Sequence, residues 1–336
     1  MVPVPVPLQS QSLPWAIRVA SRAEVGGGHV RRCQALAVEL RRSVRVEFIL
    51  DPGSFEWQRE LSQLGFGARF DSGAETGPWA GCVLDGYTFT AADRRRWRQA
   101  AAYLAVIDDL DAAPDHADFV LRTSAPSVAY GAGVAGISYA LLAPQYADAP
   151  LREPTTELRH VVVAFGLRDS ADGTSTAIAG LLQARAAGVA PRVTVVLGSH
   201  APHLARVSAE LAKSFPGSAE VVTTLTNLRP LLLKTDLAIG NGGVGLLERM
   251  ACATPTITIV SADNQWSNAR EAERAEATLL LGDLADATPS NIAAAVVRLA
   301  RDPQHRTTMA AKARAAVDGR GAQRAASALL AAASRE

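Results

Sequence analysis

Short apolar runs alternate with amphipathic stretches along the chain from Trp15 onward. The runs VRVEFIL and YLAVI are typical of buried strands, whereas HVRRCQALAVELRR and FEWQRELSQLG repeat apolar residues at the spacing of a helix. Regular alternation of strands and helices predicts a parallel sheet that is covered by helices on both faces.

This pattern is interrupted by the proline-rich, polar segment APQYADAPLREPTTE and starts again with HVVVAF. We therefore predict an α/β protein of two Rossmann-like domains with a cleft between them. The predicted parts are a loose N-terminal tail (1–14), an N-terminal domain (15–145), a linker (146–157), a C-terminal domain (158–302) and a C-terminal helical segment (303–336). Ligands of open α/β sheets bind beyond the carboxyl ends of the strands, so loops that follow strands are the candidate sites.

Composition narrows the class of protein. The 336 residues carry a formal net charge of +1, which argues against a dedicated nucleic-acid binder, because phosphate contacts need a surplus of basic residues. The three cysteines lie far apart without a CxxC pair, which favours a reducing compartment. No apolar run is long enough to span a bilayer and the start lacks the features of a signal peptide, so we expect a cytoplasmic protein without membrane insertion.

The first candidate site is the stretch EVGGGHVRRCQALAVEL, in which three glycines lead into a helix. The first amides of a helix carry partial positive charge, so His29 is expected to stay neutral and able to accept a proton. Glycines also let a ligand approach the backbone closely. The spacing fits neither the GxGxxG fingerprint nor a P-loop. An ordinary glycine-rich turn with a histidine near the helix cap is the alternative.

The stretch IRVASRAEVGGGHVRRCQALAVEL resembles the start of the nucleotide-sugar hydrolases of pseudaminic acid biosynthesis, which release UDP from UDP-2,4-diacetamido-2,4,6-trideoxy-β-L-altropyranose. The matching positions are Arg18, Gly26, Gly28, His29, Arg32 and Cys33, followed further along by Asp85, Tyr87, Asp108, Asp109, residues 139–142, Asn264 and Gln265. The resemblance runs from Ile17 to about Leu281. It implies the two-lobed GT-B fold, which these enzymes share with the lipid-II-forming N-acetylglucosaminyltransferase.

The second candidate site is the stretch DLAIGNGGVGLLERM, where a strand ends, glycines turn the chain and a helix begins. The amides of Gly242 and Gly243 can bind a diphosphate there. The resemblance implies that Glu248 accepts hydrogen bonds from ribose hydroxyls, with a helix-surface charge as the alternative. It also implies substrate contacts by Asp169 in FGLRD and by Asn264 and Gln265 in ADNQ. Helix capping is the alternative for ADNQ.

Five positions depart from the pattern of that family. Ala20 and Ala143 replace an aspartate and an arginine, Leu167 replaces a glycine, and Val244 and Gly245 replace hydroxyl residues. A hydroxyl bonded to phosphate makes a charge-assisted contact worth about 1.5–3 kcal/mol. The departures therefore weaken the prediction of this particular sugar more than the prediction of a nucleotide-sugar substrate.

Two motifs raise the question of a metal. The Asp-Leu-Asp within residues 108–118 resembles the metal-binding DxD of glycosyltransferases with the other common fold, but that fold has one nucleotide-binding sheet and this sequence predicts two. His200 and His203 have helical spacing but no third ligand at zinc-like spacing. We expect neither a metal nor another cofactor.

Together these features predict an enzyme that hydrolyses a UDP-activated amino sugar and releases the free sugar for nonulosonic acid synthesis, with flagellin and surface polysaccharide as destinations left open. His29 is the predicted base, assisted by Tyr87 and Asn264. The predicted substrate contacts are Gly26, Gly28, Arg32, Asp169, Gly242, Gly243, Glu248 and Gln265. The alternatives are a GT-B glycosyltransferase with a UDP-sugar donor and a non-catalytic relative that binds nucleotide sugars. The oligomeric state is left open.

Overall fold

The structure, a computed structural model, describes residues 13–22, 27–73, 77–109, 115–123, 132–150, 155–225 and 227–335. The chain forms two compact units. Unit 1 comprises Met1–Pro144 and Arg320–Glu336, and unit 2 comprises Gln145–Gly319.

Unit 1 contains a parallel sheet with the strand order β3-β2-β1-β4-β5-β6-β7. Its strands are β1 (Trp15–Val19), β2 (Val46–Leu50), β3 (Gly67–Phe70), β4 (Gly81–Asp85), β5 (Leu104–Ile107), β6 (Phe119–Leu121) and β7 (Gly133–Val134). Its helices, numbered in chain order, are α1 (Gly28–Leu40), α2 (Phe55–Gln63), α3 (Ala91–Ala100) and α11 (Gly321–Ala333). A 3-10 turn spans Ile137–Tyr139. Every residue of the central strands β1 and β4 is buried, which explains their continuous apolar runs.

Unit 2 contains a second parallel sheet with the order β10-β9-β8-β11-β12-β13. Its strands are β8 (His160–Ala164), β9 (Arg192–Val196), β10 (Ala219–Val222), β11 (Leu237–Gly240), β12 (Thr256–Val260) and β13 (Leu279–Asp283). Its helices are α4 (Gly173–Ala186), α5 (Leu204–Ser214), α6 (Arg229–Leu232), α7 (Val244–Ala251), α8 (Trp266–Arg274), α9 (Pro289–Arg301) and α10 (Pro303–Ala316). A 3-10 turn, Asp263–Gln265, precedes α8.

Each sheet has one point at which the strand order reverses. In unit 1 the reversal lies between β1 and β4, and in unit 2 it lies between β8 and β11. Connections leave the two neighbouring strands in opposite directions at such a point, which opens a crevice at the carboxyl ends of the strands. The loops after these four strands are therefore the first places to look for a site.

The predicted C-terminal segment, 303–336, is divided between the two units. Helix α10 belongs to unit 2, whereas α11 belongs to unit 1. The buried side chains of Ala325 and Leu329 share a hydrophobic core with Leu36 and Leu40 of α1. The amphipathic pattern predicted these helices but not the unit that each one joins, because that depends on which apolar surface is left uncovered.

The predicted linker, 146–157, also differs from a free connection. Tyr146 ends a 3-10 turn, Pro144–Tyr146, and is only 1 % exposed. Arg314 donates hydrogen bonds to the carbonyl oxygens of Tyr146 and Ala147, which fixes this start of the segment within unit 2. Residues 151–154 and the predicted tail up to residue 12 lie outside the described residues.

Cys33, Cys82 and Cys252 are buried free thiols. Among the helices that the structure describes, none combines the length and the apolar character needed to cross a membrane.

Replacing Leu329 with alanine is expected to lower the free energy of unfolding by about 2–5 kcal/mol, because the side chain is buried in the core of unit 1. Urea denaturation followed by circular dichroism measures the effect. Ser327→Ala, on the exposed side of the same helix, is the control and should change the value by less than about 0.5 kcal/mol. Equal effects of the two substitutions would contradict the packing of α11 in this core.

Candidate active site

His29 and Asp85 meet at the point where the strand order of unit 1 reverses. Asp85 is the last residue of β4, and His29 is the second residue of α1, the helix that follows β1. The His29 Nδ1 lies 2.8 Å from the Asp85 Oδ1. The two residues are 5 % and 0 % exposed. The parallel pairing of β1 with β4 therefore joins two side chains that are distant in sequence.

The charge of Asp85 decides which nitrogen of His29 carries a proton. Burial alone would raise the pKa of the Asp85 carboxyl, but the charge and hydrogen bonds of Arg32, with a contribution from His29, hold it below its ordinary value. At neutral pH the group is a carboxylate and can only accept hydrogen bonds. The His29 Nδ1 therefore carries the proton and donates to Asp85, which leaves Nε2 as the acceptor.

Arg32 braces this pair from the next turn of α1. Its Nε donates to the Asp85 Oδ2 at 2.6 Å, and its other nitrogens donate to Asp85 and Asp109. Burial opposes its charge, but the two carboxylates outweigh burial and raise the pKa of Arg32 well above its ordinary value. Its Nη2 lies 3.0 Å from the His29 Nδ1, a close approach without a hydrogen bond, because Nδ1 already carries a proton. The contacts make Arg32 a brace, where the sequence predicted a substrate contact.

Cys33 and Tyr87 complete the cluster. The Cys33 Sγ donates to the Asp85 Oδ2 at 3.3 Å, and burial raises the pKa of this thiol, so that it stays protonated. The Tyr87 ring meets the His29 ring edge to face, with 4.5 Å between the centroids. Its hydroxyl donates to the Asp109 Oδ2 at 3.2 Å. Tyr87 is the exposed member of a cluster that is otherwise buried or nearly so.

The predicted glycines of this loop have different surroundings. Gly26 lies outside the described residues. Gly28 is the first residue of α1, and a Cβ added there would meet no atom within 4 Å, so packing does not require glycine. At Gly27 an added Cβ would come within 2.9 Å of the Trp57 ring. In this loop, glycine is therefore needed at position 27, where it lets the Trp57 ring come close to the backbone.

In unit 2, hydrogen bonds tie together the loops that follow β8, β9 and β11. The Asn241 Nδ2 donates to the carbonyl oxygen of Phe165 at 2.8 Å, which joins the loops after β11 and β8. The Gly198 amide donates to the carbonyl oxygen of Leu167 at 2.7 Å, which joins the loops after β9 and β8. The carboxyl edge of this sheet is thus a connected set of loops.

Gln265 connects the loop after β12 to the glycine turn. Its Oε1 accepts hydrogen bonds from the Ser261 amide at 3.0 Å and from the Gly242 amide at 3.3 Å. A Cβ at Gly242 would stand 3.0 Å from the Gln265 carbonyl oxygen, so the close packing favours glycine. The Gly242 amide, predicted to bind a diphosphate, is therefore used by Gln265, which itself acts as a brace.

The start of α7 retains the features of an anion site. Gly243 is its N-cap residue, and no side chain caps the helix. The first amides of a helix have no partner within it and carry partial positive charge. Val244, the first helical residue, is 39 % exposed. The sequence predicted a helix start that could bind an anion, and the structure has it at Gly243, one residue after Gly242.

Asp169 has a structural role. Its two carboxylate oxygens accept hydrogen bonds from the amides of Gly173 and Thr174, at 3.0 and 2.9 Å, and so cap the start of α4. The residue is buried, whereas Leu167 in the same loop is exposed. Asp169 thus caps a helix, and its predicted contact with the substrate stays a prediction.

Glu248 lies on α7 and faces Tyr146. The Tyr146 hydroxyl donates to the Glu248 Oε1 at 2.9 Å. Burial raises the pKa of Glu248, although Tyr146 and Arg249 oppose the shift. Burial and the charge of Glu248 together raise the pKa of the Tyr146 phenol. Glu248 is therefore a half-buried carboxyl group oriented by Tyr146, and its predicted contact with ribose hydroxyls stays a prediction.

Asn264 lies exposed in the 3-10 turn Asp263–Gln265. Within the described ranges, no group of three or more histidine, cysteine or acidic side chains is arranged to hold a metal ion. Asp111 of the Asp-Leu-Asp motif lies outside those ranges.

The structure thus gathers His29, Arg32 and Tyr87 in unit 1. In unit 2, Gly242 and Gln265 meet beside the start of α7, where Gly243 is the cap. Sequence reasoning assigned no role to Asp85 and Asp109, although both were among the matching positions. A strand-end aspartate in GCVLDG was the available signal, but the strand order that brings it to His29 is visible only in the structure.

Residues 183–327 match the model of the glycosyltransferase family 28 C-terminal domain. No curated protein matches the chain in sequence.

Solved structures match nearly the whole chain at low sequence identity. MurG of Acinetobacter baumannii has a TM-score of 0.69 at 13 % identity, over 95 % of this chain and 99 % of that one. A UDP-glucosyltransferase of Polygonum tinctorium has a TM-score of 0.66 at 14 % identity, over 95 % and 99 %. The UDP-GlcNAc 2-epimerase of Neisseria meningitidis, bound to UDP-GlcNAc, has a TM-score of 0.60 at 12 % identity, over 96 % and 100 %. The predicted α/β fold of GT-B type is confirmed, whereas the particular resemblance to pseudaminic acid hydrolases stays a prediction.

Glu248→Gln tests the burial of this carboxyl. Because its pKa is raised in the folded protein, ionisation costs stability. The cost is absent below the unfolded pKa of about 4.3, grows as the pH rises above that value, and is complete above the folded pKa. Glutamine is uncharged and can still accept the Tyr146 hydrogen bond. We expect the variant to match the wild type near pH 4 and to exceed its thermal stability near pH 8.

Glu276→Gln is the matched control, because the hydrogen bond and charge of Lys312 lower the pKa of Glu276. Its substitution should therefore lower stability near pH 8 relative to pH 4. A Glu248→Gln variant that follows the same direction as this control would contradict the assignment.

Proposed function

We propose that the protein is an enzyme that transfers the sugar of a UDP-sugar donor to a hydroxyl acceptor, with inversion at the anomeric carbon. The observation that carries the proposal is the buried hydrogen bond between the His29 Nδ1 and Asp85, in a chain with a GT-B fold and a match to a glycosyltransferase C-terminal domain. Solved structures with this fold include a UDP-glucosyltransferase and proteins bound to UDP and to UDP-GlcNAc.

In this reaction His29 is the base. Its Nε2 takes the proton of the acceptor hydroxyl as the oxygen attacks the anomeric carbon. The imidazole becomes positively charged, and the Asp85 carboxylate beside Nδ1 stabilises that charge. Arg32 and Cys33 hold Asp85 in place, so that little reorganisation is needed when the charge develops. Tyr87 packs on the ring and orients the acceptor or the sugar.

The leaving group is assigned to unit 2. The bond between the anomeric carbon and the diphosphate oxygen breaks, and UDP leaves with the electron pair. The open amides at the start of α7 and the exposed Asn264 stabilise its negative charge. Glu248, oriented by Tyr146, accepts a hydrogen bond from a ribose hydroxyl.

Hydrolysis of a UDP-amino sugar is the second candidate, with water in place of the acceptor hydroxyl. It is favoured by the clustering of residues that resemble the pseudaminic acid hydrolases: Asp85 contacts His29, Arg32 and Cys33, and Tyr87 packs on the His29 ring. Both reactions use the same base. They differ only in whether an acceptor hydroxyl or water attacks the anomeric carbon, and an experiment has to distinguish these two nucleophiles.

A panel of UDP-sugars, incubated with and without candidate acceptors, separates the two. Release of UDP that depends on an acceptor, with a glycosylated product in mass spectrometry, supports transfer. Rapid UDP release and free sugar without any acceptor supports hydrolysis. Binding of UDP-sugar with neither product contradicts both enzymatic assignments.

Asp85→Asn is expected to lower kcat by about 10³–10⁴-fold, because the amide does not hold the His29 tautomer or stabilise the imidazolium. His29→Gln should cause a similar loss. UDP binding, measured by calorimetry, should stay within about threefold of the wild type in both variants, because unit 2 is unchanged. An active His29→Gln enzyme would remove the base from the mechanism.

Val244→Ser restores a hydroxyl at the start of α7. If the diphosphate lies there, the new charge-assisted hydrogen bond of about 1.5–3 kcal/mol should strengthen UDP binding by roughly 10- to 100-fold. Val244→Ala is the control, since it removes the same apolar side chain without adding a donor. Equal UDP affinities of the serine and alanine variants would contradict this placement of the diphosphate.

A further inference from the structure

Arg249 is a fully buried arginine whose hydrogen-bonding capacity is largely unused. It lies on α7 and is 0 % exposed. Its Nη2 donates to the carbonyl oxygen of Asn241 at 2.5 Å. Among the described residues, its Nε and Nη1 have no hydrogen-bond partner. A buried charge is normally paired, so such an arginine is costly to the free protein.

The guanidinium reaches back along α7 to the glycine turn. A Cβ added at Gly240 would stand 2.7 Å from the Arg249 Nη1, and one added at Gly245 would stand 3.4 Å from it. The unpartnered Nη1 therefore lies against the turn and the first turn of α7. Gly245, where the resembling family has a hydroxyl residue, leaves that side of the guanidinium without a side chain over it.

The charges around this point are unbalanced. Burial lowers the pKa of Arg249 to about 10, against the opposing charge of Glu248, so the side chain is still a cation at neutral pH. The start of α7 adds partial positive charge of its own. Glu248 is a weak counter-charge, because its own ionisation is disfavoured by burial. The ligand-free site thus holds more positive charge than its neighbours neutralise.

We propose that Arg249 is the buried counter-charge of the ligand's diphosphate, a positioning residue that acts through the glycine turn. Its hydrogen bond to the Asn241 carbonyl fixes the turn, and its buried charge, which its unpartnered nitrogens leave largely unneutralised, stabilises an anion at the start of α7. This offsets the loss of hydroxyl groups at Val244 and Gly245. The inference rests on the proposed function for the identity of the ligand, but its test needs only an anion.

The test compares binding of inorganic pyrophosphate, UDP and uridine to the full-length wild type and to Arg249→Met, by calorimetry. Methionine fills the space without charge. We expect pyrophosphate and UDP affinities to fall by about 10- to 100-fold, since both the buried positive charge and the hydrogen bond that fixes the turn are lost. Uridine affinity should be unchanged. Without ligand, the melting temperature should be equal to or above that of the wild type, because the substitution removes a poorly paired charge.

Two further variants keep the result interpretable. Arg249→Lys retains the charge and should bind pyrophosphate more tightly than Arg249→Met. Arg306→Met is the matched control: Arg306 is also buried in unit 2, but its guanidinium donates to the carbonyl oxygens of Leu299, Ala300 and Thr155. Its loss should lower the melting temperature and leave pyrophosphate affinity within about twofold.

Pyrophosphate affinity unchanged in Arg249→Met overturns the proposal, as does a loss accompanied by weaker uridine binding and a lower melting temperature. A wild type that does not bind pyrophosphate overturns it as well. If the wild type binds pyrophosphate through Arg249 but binds UDP no more tightly than pyrophosphate, the result supports this inference and contradicts the UDP-sugar assignment.

Discussion

The carboxylate of Asp85 is the group on which the polar interior of unit 1 depends. It accepts hydrogen bonds from His29, Arg32 and Cys33. Arg32 and Cys33 follow His29 by three and four positions, so the three side chains share one face of α1. The last residue of β4 is thus hydrogen-bonded to three side chains on one face of α1. Removing one partner of a buried ion pair typically costs about 3–5 kcal/mol, so this carboxylate holds the helix as well as the histidine tautomer.

The two units use buried charge in different ways. In unit 1 each nitrogen of the Arg32 guanidinium donates to Asp85 or Asp109, so the carboxylate that orients His29 is held in place before any substrate arrives. In unit 2 the guanidinium of Arg249 is left with unpartnered nitrogens among the described residues. The first arrangement suits proton transfer, which needs fixed geometry, and the second leaves a positive charge that an anion near the start of α7 would balance.

Much of the fold could be predicted from the sequence. Central strands such as β1 and β11 are buried on both faces and therefore appear as continuous apolar runs. Strand β3 was not predicted, because it lies at a sheet edge and its four residues are exposed or half-buried. Strand β7 has only two residues and offers too short a pattern.

The candidate site could be predicted in position but only partly in role. A histidine after a glycine turn at a helix start singled out His29, which the structure places in a buried cluster with Asp85, and its role as a base stays a prediction. For Asp169 and Gln265, a ligand contact and a structural cap use the same side-chain oxygens, and only the distances to nearby amides show that these oxygens are occupied. Arg249 stands in an amphipathic helix like any surface arginine, and its burial depends on the packing around it.

The return of α11 to unit 1 bears on the order of events during synthesis. Unit 2 is continuous in sequence, so all of its strands and helices have left the ribosome before residues 320–336 appear. Unit 1 begins first, yet the surface of α1 that covers Ala325 and Leu329 stays open to water throughout that interval. The unit that is translated first is therefore completed last, and its apolar face on α1 is a surface that a chaperone could protect in the meantime.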